Sequence, residues 1–213
     1  MVDIDLYVLY NKIRNEKKCA IICEINSCRN RCLFCNPTGY RTNRVIDKQE
    51  LRDIETQLLT QAIGLNKKGY DTVEISGCDP IKYEKIARFI TILKSSLNFK
   101  TVILSTHGRN LDSIKFVKKI KKSGLDELRI PLYGAKASVH DSITQEKGSF
   151  KETLSGIKNV KKYEPLTKIT LTTLVMKQNY KSIPDISLLE EIYALECIIS
   201  IPCVSHHENA KNL

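Results

Sequence analysis

The sequence predicts an α/β fold built around a parallel sheet. Short apolar or β-branched runs alternate with longer segments of helical spacing. The alternation is strict, at about 25–35 residues per unit, as right-handed strand–helix–strand crossovers require. No Gly/Ser/Pro-rich linker divides the chain, and 213 residues suffice for one domain with a full core.

Residues 1–18 form a polar, mixed lead-in, and Cys19 to Ile25 reads as the first strand. A cysteine-bearing loop follows and continues past the turn residues Pro37 and Gly39. Asp47 caps the first helix, with Glu50 three residues on, as in a capping box. Leu51, Ile54, Leu58 and Leu59 recur on one face of that helix, which ends near Lys68-Gly69. Thr72–Ser76 is the second strand, and Tyr83–Leu97 its helix. Thr101–Ser105 is the third strand, and Leu111–Lys122 a helix closed by Gly124. Glu127–Leu132 is the fourth strand, then a long connection carries Tyr133, His140 and Asp141 into a helix over Phe150–Tyr163, broken by Pro165. The β-branched run Lys168–Met176 is the fifth strand, Ile186–Leu195 a helix and Cys197–Ile201 the sixth strand. A doubly wound sheet and a barrel both satisfy this pattern.

Composition narrows the function. No run of about 18 apolar residues occurs, so no membrane-spanning helix is expected. Met1 to Tyr10 carries Asp3 and Asp5 in place of a secretory apolar core, so a cytoplasmic location is expected. The formal charge of +10 would suit an acidic partner, but the lysines are scattered along helices and read as a solvated surface. Pairs such as Lys118-Lys119 and Lys121-Lys122 fall where a helix should end and favour its dipole.

Eight cysteines are many for a chain in a reducing compartment, where clustered thiols more often bind metal than form disulfides. Cys28, Cys32 and Cys35 are clustered, spaced Cys-x3-Cys-x2-Cys. Cys19, Cys23, Cys78, Cys197 and Cys203 are scattered and default to small buried hydrophobes. Thiolates so close in sequence can converge on one centre. An iron–sulfur cluster is one candidate, and three ligands leave one of four irons open to a small molecule. A zinc site with Cys23 or His206 as fourth ligand is the alternative, although zinc sites usually pair two Cys-x2-Cys units.

The loop resembles that of the radical S-adenosylmethionine (radical SAM) superfamily, Cys-x3-Cys-x-aromatic-Cys, with Phe34 at the aromatic position. Further segments match in order along the chain, from about Cys19 to Val204. Ser76-Gly77-Cys78-Asp79-Pro80 resembles the family's Gly-Gly-Glu-Pro segment, which holds the cofactor's ammonium; Cys78 replaces a glycine and Asp79 the glutamate. The plain reading of Asp79-Pro80 is a helix start, with Asp79 as N-cap. Ser105-Thr106-His107-Gly108 is similar to the family's Thr-Asn-Gly turn, making Ser105 and Thr106 cofactor candidates. Pro131 stands where many relatives use a serine on the ribose, so that contact must differ here. Tyr133 could line the pocket, and His140-Asp141 with Gly148-Ser149-Phe150 matches a segment common in the family. Asn179 stands where relatives often carry an Asn, with Val175 and Met176 near the adenine.

The resemblance implies a partial (β/α)6 barrel, truncated after the sixth strand, with residues 1–18 as lead-in, 19–204 as the radical SAM core and 205–213 as a tail. It implies a [4Fe-4S] cluster on Cys28, Cys32 and Cys35. It also implies S-adenosyl-L-methionine held near Phe34, Ser76, Gly77, Cys78, Asp79, Ser105, Thr106 and Asn179. The implied activity is reductive cleavage of that cofactor and hydrogen abstraction from a peptide or small metabolite. A flavodoxin- or ferredoxin-like protein would supply the electron. The pattern looks closest to the branch with peptide-modifying maturases and cofactor-biosynthesis enzymes. Two rival readings are an inactive radical SAM fold acting as a binding partner, and a metal-binding nucleic-acid module. An apolar sixth strand without an outer helix invites self-association or a partner at the C-terminal edge.

Overall fold

In a strand, successive side chains point to opposite faces, and this chain uses the two faces for different work. The computed structural model describes residues 17–23, 25, 28–35, 47–193 and 195–200. The predicted lead-in, the Pro37–Gly39 turn, Cys203, His206 and the tail lie outside them, apart from Lys17 and Lys18.

Six strands run parallel in sequence order. They are β1 (Lys18–Cys23), β2 (Thr72–Gly77), β3 (Thr101–Ser105), β4 (Glu127–Pro131), β5 (Lys168–Leu174) and β6 (Glu196–Ser200). β1 and β6 do not pair among the described residues, so the sheet is an open partial barrel. Of the two architectures the sequence allows, this is the barrel-type one: a doubly wound sheet would reverse its strand order at a switch point.

Helices α1 (Lys48–Lys67), α2 (Ile86–Thr91), α3 (Ile114–Lys122), α4 (Ala137–Thr144), α5 (Ser149–Tyr163) and α6 (Ile183–Tyr193) connect the strands. Residues Ile21, Val73, Ile75, Val102, Leu104, Ile130 and Leu171, on the helix-facing side, are fully buried against this layer. The other face is mainly polar, with Ile103 buried between Glu74 and Glu127. Along it runs a chain of ion pairs: Lys18 to Glu74 at 3.3 Å, Glu74 to Arg129 at 2.6 Å, and Arg129 to Glu127 at 2.8 Å. Glu127 reaches Lys168 at 3.4 Å, and Lys168 reaches Glu196 at 2.8 Å.

Asp47 caps α1 as expected, its Oδ1 accepting from the N–H groups of Gln49 and Glu50 at 2.8 and 2.9 Å. The structure corrects other boundaries. The second helix does not run from Tyr83. A 3-10 turn (Pro80–Lys82) comes first, and α2 ends in a wide π turn (Ile92–Ser96), where Leu97 N–H reaches the Ile92 carbonyl at 3.0 Å. The third helix begins at Ile114, capped by Ser113, whose hydroxyl accepts from Phe116 N–H at 3.3 Å. The fourth strand stops at Pro131 and the fifth at Leu174, and α6 starts at Ile183.

The long connection expected after β4 contains a helix of its own. α4 is eight residues long, ends on Gln145 in the left-handed region (φ 53°), and is separated from α5 by one tight turn. Asp141 on α4 caps α5, accepting from Gly148 N–H at 2.7 Å and Phe150 N–H at 2.8 Å, and from the Ser149 hydroxyl at 2.8 Å. Those hydrogen bonds hold its carboxyl below the ordinary carboxylate value although burial opposes them. On β6, Ile198 and Ile199 are exposed.

Candidate functional site

The site lies at the C-terminal ends of the strands, where ligands gather in such sheets. The cysteine loop follows β1. Its backbone is pinned to the end of α4: Arg31 N–H donates to the Thr144 carbonyl at 2.8 Å and Leu33 N–H to that of Ile143 at 3.0 Å. Cys35 N–H closes a turn on the Cys32 carbonyl at 3.0 Å. Phe34 meets Tyr133 edge to face, with ring centroids 5.2 Å apart. Burial raises the Cys28 thiol above its ordinary value, so metal uptake there must displace a proton.

After β2, Gly77 adopts φ +119°, and a Cβ there would stand 2.5 Å from the Cys23 carbonyl oxygen. Only glycine allows the two strand ends to approach so closely. Asp79 follows in the left-handed region at φ 63° and precedes the 3-10 turn. The expected helix cap is absent: its side chain accepts nothing from that turn. The carboxylate turns inward instead. Oδ1 accepts from the Thr106 hydroxyl at 2.6 Å, and Oδ2 from Asn110 Nδ2 at 3.1 Å. His107 Nε2 lies 2.8 Å from Oδ2, an ion-pair distance without a well-directed hydrogen bond. His107 Nδ1 accepts from Arg109 N–H at 3.2 Å, which places the proton of a neutral ring on Nε2.

Beyond β3, the Ser105 hydroxyl donates to Glu74 Oε1 at 2.6 Å. Both predicted hydroxyls, Ser105 and Thr106, are thus oriented by carboxylates, and Thr106 Oγ1 also accepts from Gly108 N–H at 3.2 Å. Pro131 and Thr172 are paired across β4 and β5, and both face the cavity. Tyr133 is buried; desolvation, and then the charges of Cys32, Cys35 and Cys28, push its phenol well above the ordinary value, so it stays neutral. His140 is 1% exposed and stacks on Tyr133 at 5.7 Å; its Nδ1 accepts from Tyr133 N–H at 3.2 Å. Its role is to hold the Tyr133 backbone. Desolvation drops its pKa to about 4, so the ring is neutral.

One cavity of about 340 Å³ joins these elements, large enough for a small ligand. Cys28, Cys32, Phe34 and Cys35 line it from the loop; Ser76, Gly77 and Asp79 from the end of β2 and its turn; Ser105 and Thr106 from the end of β3 and its turn. Two expected residues do not line it. Cys78 is half-buried beside it, and Asn179 is spent on its own turn, donating to the Leu174 carbonyl at 2.8 Å and accepting from Met176 N–H at 2.7 Å. Asn30, Arg129 and Thr172 also line it, and sequence reasoning gave them no role. Arg129 and Thr172 were legible in principle, since they fall on the polar side of their strands. Asn30 carries no sequence signal beyond its place in the loop.

The described cysteines are thiols, not disulfides. Among the described residues no three His, Cys, Asp or Glu side chains converge on a single metal ion. Cys23, the suggested fourth zinc ligand, is fully buried in the helix-side core. Three thiols spread around a roomy cavity, with no fourth ligand among the described residues, suit an iron–sulfur cluster better than tetrahedral zinc.

The radical SAM superfamily model matches residues 24–189. A probable GTP 3',8-cyclase of Thermococcus kodakarensis is 27% identical over 147 residues, covering 69% of this chain and 45% of the relative. An AdoMet-dependent heme synthase of Methanosarcina barkeri is 26% identical over 159 residues, covering 73% and 42%. The chain thus spans less than half the length of these relatives. Among solved structures, the FeFe-hydrogenase maturase HydG from Carboxydothermus hydrogenoformans superposes with a TM-score of 0.65 at 13% identity, covering 91% of this chain and 46% of that one. The structure of anSMEcpe with bound AdoMet and a Cp18Cys peptide gives 0.64 at 10% identity, covering 90% and 54%. From the cysteine loop to the sixth helix, the chain belongs to the radical SAM superfamily.

Proposed function

We propose that this chain is a radical SAM enzyme that cleaves S-adenosyl-L-methionine reductively and takes a hydrogen atom from a peptide or small-metabolite substrate. The observation that carries this is the shared cavity: three thiols, the Asp79 turn and the polar faces of β2 to β5 line one space. A [4Fe-4S] cluster held by Cys28, Cys32 and Cys35 would supply the electron-transfer chemistry, fed by a flavodoxin- or ferredoxin-like reductant.

The chain's own residues bind, orient and exclude water. Asp79 places a carboxylate beside the cofactor's ammonium, with Thr106, Asn110 and His107 fixing its direction. Ser76 and Gly77 supply the wall of that turn, and Phe34 and Tyr133 an apolar one. Thr172 offers a hydroxyl beside Pro131, which has none, and so takes the cofactor's ribose. β2 and β5 are three strand spacings apart, roughly 14 Å along the sheet, a span that a nucleoside joined to an amino acid can bridge. Cys78 and Asn179 act through the turns that carry them. Arg129, paired to Glu74 beneath it, gives the cavity a charged wall that suits a polar substrate.

The relatives' names cover a nucleotide cyclase and a heme synthase, so the likeness supports shared cofactors and not one substrate. Exposed Ile198 and Ile199 support a partner or a second copy at the β6 edge, which light scattering tests.

Anaerobic reconstitution tests the central reading. About four irons and four sulfides per chain are expected, with release of 5′-deoxyadenosine after reduction with S-adenosylmethionine. Cys28→Ala, Cys32→Ala or Cys35→Ala should abolish the chromophore, and Cys19→Ala should keep it. Stoichiometric zinc without sulfide would end this reading.

A further inference from the structure

Arg109 follows the β3 turn, and its guanidinium is fully buried. Burying an unpaired guanidinium costs several kcal/mol, so its partners reveal what it is for. Nη1 donates to Asn30 Oδ1 at 2.7 Å. Asn30 lies between Cys28 and Cys32 and is itself buried. Nε donates to Glu152 Oε2, on α5, at 2.9 Å. Nη2 lies 3.5 Å from Glu146 and makes no hydrogen bond. Glu152 also pairs with Arg29 of the loop at 3.1 Å. The Arg109 backbone N–H, in turn, holds His107, which faces Asp79.

We propose that Arg109 is a positioning residue for the cysteine loop. It acts through Asn30, and it ties that loop to the Asp79 turn and to α5. This rests on the reading of the loop as a cluster site only for its consequence, not for its geometry. Three separate chain segments meet at one planar fork: the loop after β1, the turn after β3 and the first turn of α5. A planar guanidinium fixes direction as well as distance, which an ammonium does not. The Glu152 side chain is 39% exposed and keeps its pair with Arg29, so Arg109→Met leaves no fully buried charge behind. A positioning role therefore predicts a loosened loop in a molecule that still folds.

The test uses the full chain with Arg109→Met, Arg109→Lys and Asn30→Ala. Amide hydrogen exchange at Arg31 and Leu33 is measured without metal, alongside thermal melts. Exchange at both amides should rise about tenfold or more in Arg109→Met and Asn30→Ala, as loss of a hydrogen bond to a charged group allows. Arg109→Lys should restore it only in part. After anaerobic reconstitution, the iron content of Arg109→Met should fall to less than about half of the parent's, and the g-values of its reduced cluster should shift. Parental exchange at Arg31 and Leu33 in both Arg109→Met and Asn30→Ala would overturn the proposal. If Arg109→Met does not fold, parental exchange in Asn30→Ala alone overturns it. Should the parent take up no iron, the cluster reading fails while the exchange data still decide this one.

Discussion

The two faces of the same six strands make unlike use of the same backbone. The helix-facing side is apolar and closed: Val73, Ile75, Val102, Leu104, Ile130 and Leu171 have no exposed surface. Each such side chain contributes about 1.5–3 kcal/mol by leaving water. The inner side carries Glu74, Ser76, Ser105, Arg129 and Thr172, all half-buried, and a string of ion pairs. Its β5–β6 end is solvated; Lys168 and Glu196 are 47% and 64% exposed at the side chain, and such a pair adds little stability. Stability therefore resides on one face, and the other is free to be shaped by what it touches.

The comparison is broken most strongly on the apolar side. Leu104→Ala should cost about 2–5 kcal/mol in urea unfolding, the usual range for a buried leucine. A cost under about 1 kcal/mol would show that the helix layer is not the main source of stability.

Above the inner face, His140 gives a pH signature. Its folded pKa of about 4 lies below the unfolded value near 6.5. Between these values the unfolded chain binds the extra proton, so stability is level above about pH 6.5 and falls as pH drops toward 4. The full loss would be about 3 kcal/mol. Asp141, Arg109 and His107 surround the ring and stay in place in His140→Phe, which should flatten this window although it also loses the acceptor for Tyr133 N–H. Unfolding midpoints across that pH range decide it.

On the ligand side the effects should be smaller and should leave the fold alone. Asp79→Asn keeps the shape but loses the charge, and with one oxygen it cannot accept at both Oδ positions, from Thr106 and from Asn110. Affinity for S-adenosylmethionine should drop about tenfold with iron content unchanged, in an equilibrium titration. Equal affinity would reduce Asp79 to a turn residue. Thr172→Val removes one hydroxyl and little else. Affinity should fall roughly threefold, with unfolding free energy within about 0.5 kcal/mol of the parent. A stability loss without an affinity loss would move Thr172 to the structural face.

The cysteine loop, the six strands and the apolar faces were legible in the sequence because each rests on local spacing: three thiols within eight residues, period-two strands, period-3.6 helices. α4 was not, because an eight-residue helix gives too few repeats to show a period, and the stretch read as a connection. Asp79 was legible as a candidate site residue, but its plain local reading as a helix cap does not hold. Asp before Pro is the ordinary sign of a helix start, and only the partners at Thr106, His107 and Asn110, some 27 to 31 residues on, draw its carboxylate inward.

The sequence by itself determined the alternation of elements, the three clustered thiols and the superfamily they mark. Tertiary structure decided which hydroxyls and charges surround them. Thr172 stands beside Pro131 because β4 and β5 are in that register, and Arg109 reaches Asn30 across 79 residues because two strand ends share a rim. Spacing along a chain encodes periodicity. It does not encode which distant polar groups must find each other once water is excluded, and a buried charge accepts only the partners the fold delivers.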